Sequence, residues 1–241
     1  MDMIPSGAQF SAGRVTNPGQ SQEFRQSLYD FTLYAGAGQT QLQFFQNPIG
    51  QGKTTALGVT AGTPKTRADT NMTASGQLPN GLSMLVETVE LYFWPGSVST
   101  TDTFTIDTIS FFNATASATP TAQVDDASAF YQGGYLNWSI LGSTILEEAP
   151  LLRFPPKCHL KLNAAVASNS ATTSEVGVAN AYAEGREYRL YDETTGNPGI
   201  TLQSLMSFSI SLNWPAVVAM TSGFNARVGC ILDGKQARAS I

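Results

Sequence analysis

The chain is short of charge. Of its 241 residues only 13% are Asp, Glu, Lys or Arg, about half the share usual in a globular protein. A freely diffusing monomer keeps a more charged surface for solubility, so this composition points to a protein that packs against neighbours or to an extracellular β-protein. The 13 basic residues, set against 18 acidic ones, form no cluster, which argues against an extended nucleic-acid-binding tract and against specific nucleic-acid recognition. One histidine, His159, is too few for a His/Cys metal set, and Cys158 beside it would point to the other face of a strand. The two cysteines, Cys158 and Cys230, are too few for a scaffold that depends on disulfides. Both sit among alternating apolar residues and read as buried thiols, with a disulfide open only if their strands are neighbours. No apolar run reaches the length of a membrane span, and no basic start followed by an apolar stretch suggests a signal peptide.

What is present is strand pattern. Hydrophobic residues still make up 42% of the chain, so disorder throughout is excluded. The length suits one large β-domain or two small ones. In the run 205–215, Met206, Phe208, Ile210, Leu212 and Trp214 alternate with Ser207, Ser209, Ser211 and Asn213. That is a strand with one face in a core and the other against something polar and uncharged.

The same alternation recurs along the chain. Residues 1–22 read as an N-terminal arm broken by Pro5, Gly7, Gly13, Pro18 and Gly19, and residues 23–241 as the folded domain. Residues 24–34 read as a strand, and 36–38 as a turn leading into 39–46, together a hairpin. Residues 47–80 form a long polar segment rich in glycine, longer than an ordinary loop and suited to covering or reaching. Strands are expected at 82–94, 103–112 (with a bulge between Ile106 and Ile109), 130–141, 143–146, 158–164, 187–191, 201–214 and 224–232. Residues 113–126 read as a low-complexity loop, 175–183 as a short helix, and 235–241 as a slightly basic tail. Roughly nine to twelve strands, no strong helix and no βαβ rhythm predict an all-β protein, an antiparallel β-sandwich of jelly-roll type. A weak echo between 85–95 and 205–215, each starting with Leu and ending in Trp-Pro, fits either two like domains or two like strands in one sandwich.

Candidate sites are few. The run 50–55, GQGKTT, suggests a phosphate loop, but Asn47 stands where its first glycine belongs and a turn-like stretch follows where a helix is required. Asp102, Asp107, Asp125, Asp126, Glu147 and Glu148 read as solvated acids or interface ion pairs, since carboxylate catalysis needs two acids across a cleft and no calcium-loop spacing occurs. Lys65, Arg67 and Asp69 read as a solvated loop or as a pairing set at a subunit contact. Trp94 and Trp214 continue the apolar faces of their strands and read as core-edge residues. Asn71, Asn113 and Asn137 begin Asn-x-Ser/Thr triplets, which matter only in a eukaryotic secretory path. No residue is assigned to catalysis, to a cofactor or to a metal.

The aromatic segment 42–52 (LQFFQNPIGQG), the segment 65–81 (KTRADTNMTASGQLPNG) feeding the strand 84–96 (MLVETVELYFWPG), and 146–157 (LEEAPLLRFPPK) resemble jelly-roll major capsid proteins of tailless icosahedral bacteriophages. The resemblance is architectural, an arm, a hairpin, a long crossover and sandwich strands, and covers most of the chain. It implies a structural virion protein without enzymatic activity, located in the capsid. It also implies many copies in a shell lattice of trimeric or pseudo-hexameric capsomers, with vertex or minor capsid proteins and an internal membrane as further contacts. Members carry one roll or two, and the strand count favours one elaborated roll over a compact double jelly roll. Two other classes remain in view. One is a carbohydrate- or receptor-binding β-sandwich such as a virion spike, using Trp138 or Tyr135 as an aromatic platform. The other is an enzyme on a β-scaffold.

Overall fold

In the computed structural model, which describes residues 22–53, 63–94, 120–154, 163–167, 176–180, 187–192 and 194–238, the alternating segments form two antiparallel sheets around one core. The fold is an all-β sandwich. Sheet 1 contains β1 (Gln22–Arg25), β2 (Leu28–Tyr34), β4 (Leu82–Trp94), β9 (Tyr188–Arg189), β10 (Ile200–Leu202) and β12 (Ala226–Arg238). β1 and β2 follow one another along one side of β12; β4 lies on its other side, and β9 and β10 follow one another along the far side of β4. Sheet 2 runs β3 (Gln41–Phe44), β11 (Phe208–Asn213), β5 (Tyr135–Ile140) and β6 (Ser143–Glu148). A separate two-stranded ribbon pairs β7 (Asn163–Ala167) with β8 (Val176–Asn180).

The pairings are nested. β5 pairs with β6 across the tight turn Leu141-Gly142, β4 with β10, β3 with β11, and β2 with β12. The chain thus behaves as one long antiparallel hairpin, bent so that its successive rungs fall alternately into the two sheets. Apolar residues at every second position meet between the sheets: Leu28, Val86, Val89, Leu91, Val228, Cys230 and Leu232 from sheet 1, and Leu42, Phe44, Leu136, Trp138, Ile210 and Leu212 from sheet 2. Where β4 pairs with β12 the register shifts between Asp233 and Gly234, leaving Glu87 as an extra residue on β4. A Cβ on Gly234 would lie 2.0 Å from the Leu85 carbonyl oxygen, so the bulge requires glycine there.

Several expectations need correcting. Residues 120–133 form a helix, α1 (Pro120–Gly133), where a loop and the start of a strand were expected. Proline suits the first helical turn, and the helix buries its own Phe130 and Tyr131 in the core. Gly134 alone separates this helix from β5, so 130–141 is not one strand. Residues 24–34 and 39–46 are not a hairpin, because β2 pairs with β12 in sheet 1 and β3 with β11 in sheet 2; the turn at 36–38 carries the chain between the sheets. The run 201–214 is broken at Leu205, which has a φ of 59°. Val176–Asn180 is strand, not helix, because a cross-strand partner was available to a Val/Ala stretch of weak helix preference. The basic tail is instead the end of β12 as far as Arg238. The echo between 85–95 and 205–215 relates β4 to a turn plus β11 in the opposite sheet, so it does not mark a second domain. The strand expected at 103–112 lies outside the described residues.

The long segment after β3 is held by a buried ion pair. The Lys65 ammonium sits 2.6 Å from Asp30 Oδ1, with each side chain 1% exposed. The other carboxylate oxygen accepts the Phe45 N–H at 2.7 Å. Backbone bonds from Phe31 N to Asp69 O and from Asn71 N to Tyr29 O lay residues 69–71 along the outer edge of β2, which closes that edge of sheet 1. Burial pushes the Asp30 carboxyl above its ordinary value, opposed by Lys65 and the Phe45 N–H. Lys65→Met, which strands the carboxylate, is expected to reduce stability by about 3–5 kcal/mol, seen as a lower urea midpoint. The double variant Asp30→Asn/Lys65→Met removes both charges yet keeps an acceptor for Phe45, and is expected to recover most of that loss.

Candidate interaction surface

The outer face of sheet 2 is made mostly by the uncharged polar residues of the alternating strands, with Tyr135 and Glu147 at its margins. Adjacent rows read Gln41–Asn213–Tyr135, Gln43–Ser211–Asn137–Glu147, and Ser209–Ser139–Thr144. β3, β5 and β11 contain no charged residue at all. The side chains bond to one another: Gln41 Nε2 donates to Asn213 Oδ1 at 3.0 Å, Asn213 Nδ2 to Ser211 Oγ at 3.0 Å, and the Ser139 and Ser209 hydroxyls lie 2.8 Å apart. With short side chains that already satisfy one another, this face can be covered with little desolvation penalty and little lost rotamer entropy.

Sheet 1 has the opposite character. On it Arg25 bridges Asp233 at 2.8 Å and Glu87 at 3.3 Å, and Lys235 approaches Glu87 at 3.7 Å. Arg227 stacks its guanidinium 4.3 Å from the centre of the Phe31 ring and donates to the Ala68 carbonyl at 2.9 Å. Burial lowers its pKa, opposed by Asp69.

The neutral character of sheet 2 continues around one end of the sandwich. Segments 71–81, 139–146 and 203–209 hold no charged residue and are tied together. Gly76 N donates to Phe45 O, Phe208 N to Gly76 O, Leu205 N to Leu78 O and Leu141 N to Ser207 O, all within 2.7–3.0 Å. Two leucines protrude from this end. Leu141 is 69% and Leu205 58% exposed, and both have positive φ, 51° and 59°. Leu141 with Gly142 (φ 78°) occupies a turn that favours Asn-Gly, and a non-glycine residue in this region costs roughly 1–2 kcal/mol. At β6 the register shift leaves Ile145 as the bulged residue, turned outward and 42% exposed.

The residues singled out from sequence are dispersed. Lys65 and Asp69 are not a solvated loop: Lys65 is buried on Asp30, and buried Asp69 lies 3.8 Å from Arg227. Arg67 is exposed. Asp30 and Arg227 were not anticipated. The available signal was an acid standing in the inward register of β2, between Leu28 and Tyr34. Asp126 is buried and accepts the Ser222 N–H at 3.1 Å, while Asp125 is exposed. Gly50–Lys53 is an exposed turn joined to Lys65 by backbone bonds. Trp138 is fully buried and Trp214 nearly so, its Nε1 donating to Phe130 O at 3.1 Å; Trp94 is half-buried at the end of β4. Tyr135 is half-buried on the sheet 2 face. The Asn71 amide is engaged at both ends, by Tyr29 N and Ser27 O, whereas Asn137 stands on the sheet 2 face. Cys230 is a buried free thiol whose pKa burial pushes well up. Cys158, His159, Asp102, Asp107 and Asn113 lie outside the described residues. Among the described residues no group of His, Cys, Asp or Glu is arranged to hold a metal ion, and no helix is long and apolar enough to cross a membrane.

Glu148 and its neighbours form the most developed polar cluster. Its Oε1 accepts the Tyr188 hydroxyl at 2.7 Å and its Oε2 meets Arg153 at 2.7 Å, while the Tyr188 ring lies 4.5 Å from that of Phe154. These contacts staple β6 to β9, so Glu148 acts within the subunit.

Comparison with family models, with curated proteins and with solved structures gives no match. The reading of function therefore rests on the chain itself.

Burial, with the Glu148 hydrogen bond second, raises the Tyr188 pKa from 10.0 to about 12. A group with a raised folded-state pKa contributes stability that is complete below its unfolded value and is lost as pH rises through the folded value. Tyr188→Phe is accordingly expected to be less stable than the wild type at and below pH 10. The gap should close by about pH 12, as read by urea midpoints across that range.

Proposed function

We propose that the chain is a shell-forming structural protein, a single jelly-roll subunit that self-assembles as the major capsid protein of an icosahedral virus. The observation that carries this reading is the outer face of sheet 2, a whole sheet surface of mutually bonded Ser, Asn and Gln without a positive charge. Its one acid, Glu147, stands on the edge strand. Interface cores are depleted in Lys, Glu and Asp, and a low-charge sheet of this kind is more readily explained by contact with a neighbour than by open water.

The strand order supports the jelly-roll part of the reading. Sheet orders β2–β12–β4–β10 and β3–β11–β5–β6 come from four nested pairs, the connectivity of a double-sheet roll with Greek-key crossings. Among the described residues, one core and eight nested strands favour one roll over two. The sugar-binding alternative loses one of its two aromatic platforms, because Trp138 is buried in the core, and keeps only half-buried Tyr135.

Four strands at about 4.8 Å spacing and six residues at about 3.3 Å give the sheet 2 face an area on the order of 400 Å². A stable complex buries about 800 Å² on each partner, so the contact must extend beyond this face. Placing charge at its centre, as in Ser209→Lys/Ser211→Lys, is expected to leave the melting temperature within a few degrees of the wild type. It should abolish the large particles seen by negative-stain electron microscopy and sedimentation velocity. A wild-type chain that stays monomeric at high concentration defeats the proposal.

A further inference from the structure

Asn80 differs from every other asparagine of the chain in being followed by glycine. An asparagine amide is a thermally labile group. It is lost when the backbone nitrogen of the next residue attacks the side-chain Cγ, and a side chain on that next residue obstructs the approach. The structure decides whether the attack is open. Asn80 and Gly81 are the two central residues of the turn that leads into β4, closed by the Leu82 N–H on Pro79 O at 3.1 Å. Gly81 has a φ of 76°, the conformation that favours glycine at the third position of a type II turn. Asn80 is exposed, as is Pro79 before it, so solvent reaches the amide. The bond that closes the turn uses neither the Asn80 nor the Gly81 N–H.

The other described asparagines are protected by their surroundings. Asn47 and Asn197 precede prolines, which have no N–H to lose. The Asn71 amide is held at both ends, by Tyr29 N and Ser27 O, and the Met72 N–H donates to Thr70 Oγ1 at 3.2 Å. Asn137 and Asn213 lie in paired strands ahead of bulky Trp138 and Trp214, and the Trp214 N–H donates to Thr40 O at 2.9 Å. Asn225 accepts the Gly36 N–H at 2.9 Å and precedes the first residue of β12. Asn163 and Asn180 face each other in the β7–β8 ribbon. Among the described residues, an exposed amide beside a backbone nitrogen that no side chain hinders occurs at Asn80.

We propose that Asn80 is a site of spontaneous deamidation in the folded protein. The Gly81 nitrogen, after giving its proton to solvent hydroxide, forms a bond to Asn80 Cγ. The Cγ–Nδ2 bond breaks, and the amide nitrogen leaves as ammonia with a proton taken from water. The two residues then share a succinimide ring, which water opens at one of its two carbonyls. Breaking the bond from nitrogen to Cγ gives aspartate. Breaking the bond from nitrogen to the main-chain carbonyl carbon of residue 80 gives isoaspartate, in which the main chain runs through the side-chain carbons. Because both reacting groups belong to one dipeptide, the attack is intramolecular and loses little entropy. The product changes the character of this surface. Segment 71–81 carries no charge, and the conversion puts a carboxylate into it at the entry to β4.

The full-length protein, incubated folded at mildly alkaline pH, is expected to gain the mass of an amide-to-acid conversion. Peptide mapping by mass spectrometry should place the change at residue 80, as a mixture of aspartate and isoaspartate. The conversion should run several-fold slower one pH unit lower, because the attacking nitrogen must first lose its proton. Asn80→Gln, whose longer side chain would have to close a larger ring, is expected to melt at the wild-type temperature and to show no conversion at that position over the same period. A folded wild type that shows no conversion at alkaline pH overturns the inference. Conversion that maps mainly to another asparagine, or that proceeds as fast in Asn80→Gln, overturns it as well.

Discussion

A buried carboxylate ties the two sheets of this protein together at one end. Asp30 belongs to sheet 1, yet one of its oxygens holds the backbone N–H of Phe45, the residue that follows the last position of β3 in sheet 2. The other oxygen holds Lys65, on the segment that leads back to sheet 1. Taking two charges out of water is expensive, so the pair is a poor source of net stability. What it supplies is position. A carboxylate with both oxygens committed admits one arrangement of the three chain segments around it, and a shifted one leaves a charge buried without a partner.

The consequences of that position reach the surface. Phe45, at a φ of 64°, accepts from Gly76; Gly76 accepts from Phe208; and Ser207, beside Phe208, accepts from Leu141. These bonds join three segments, the β3–β4 connection, the end of the β10–β11 connection and the turn between β5 and β6, into one hydrogen-bonded end. The strained turn at Leu141 is therefore held by the same network that begins at Asp30. Without such support a leucine at positive φ would relax the turn, and the neutral end would lose its shape.

Much of this was legible in the sequence, and the exceptions have physical causes. The strand at 208–213 was readable because it has one face in the core, and a period of two survives any tertiary context that keeps that face buried; the strand at 82–94, buried on both faces along most of its length, was readable from its run of apolar, β-branched and aromatic residues. The all-β class followed from the number of such runs. Helix α1 was missed because residues 120–129 are mostly small or polar, and its large buried side chains, Phe130 and Tyr131, could equally begin a strand. The apparent hairpin at 24–46 was misread because adjacency in sequence cannot distinguish a turn within a sheet from a turn between sheets. Lys65 and Asp69 looked solvated because their partners, Asp30 and Arg227, are distant in the chain, and ion pairs carry no periodic signal. The neutral face of sheet 2 was visible from the start in Ser209, Ser211 and Asn213, but only the sheet order shows that four strands share it and that it faces outward.

The division of labour between the two sheets follows from what each surface must tolerate. Sheet 1 carries ionic contacts, Arg25 with Glu87 and Asp233 on its own strands and Arg227 with Asp69 on the segment that borders β2, where they fix side chains and adjoining segments. Sheet 2 keeps none at its centre. A surface of mutually bonded amides and hydroxyls gains little free energy from contact, and it offers no large apolar patch to drive indiscriminate aggregation. Such a surface permits association without compelling it. Selectivity then has to come from a few apolar points in fixed places, and rigid turns are better suited to that task than flexible ones because less entropy is lost on docking. On the proposed shell reading, individually weak contacts would reinforce one another because each subunit is held by several neighbours at once.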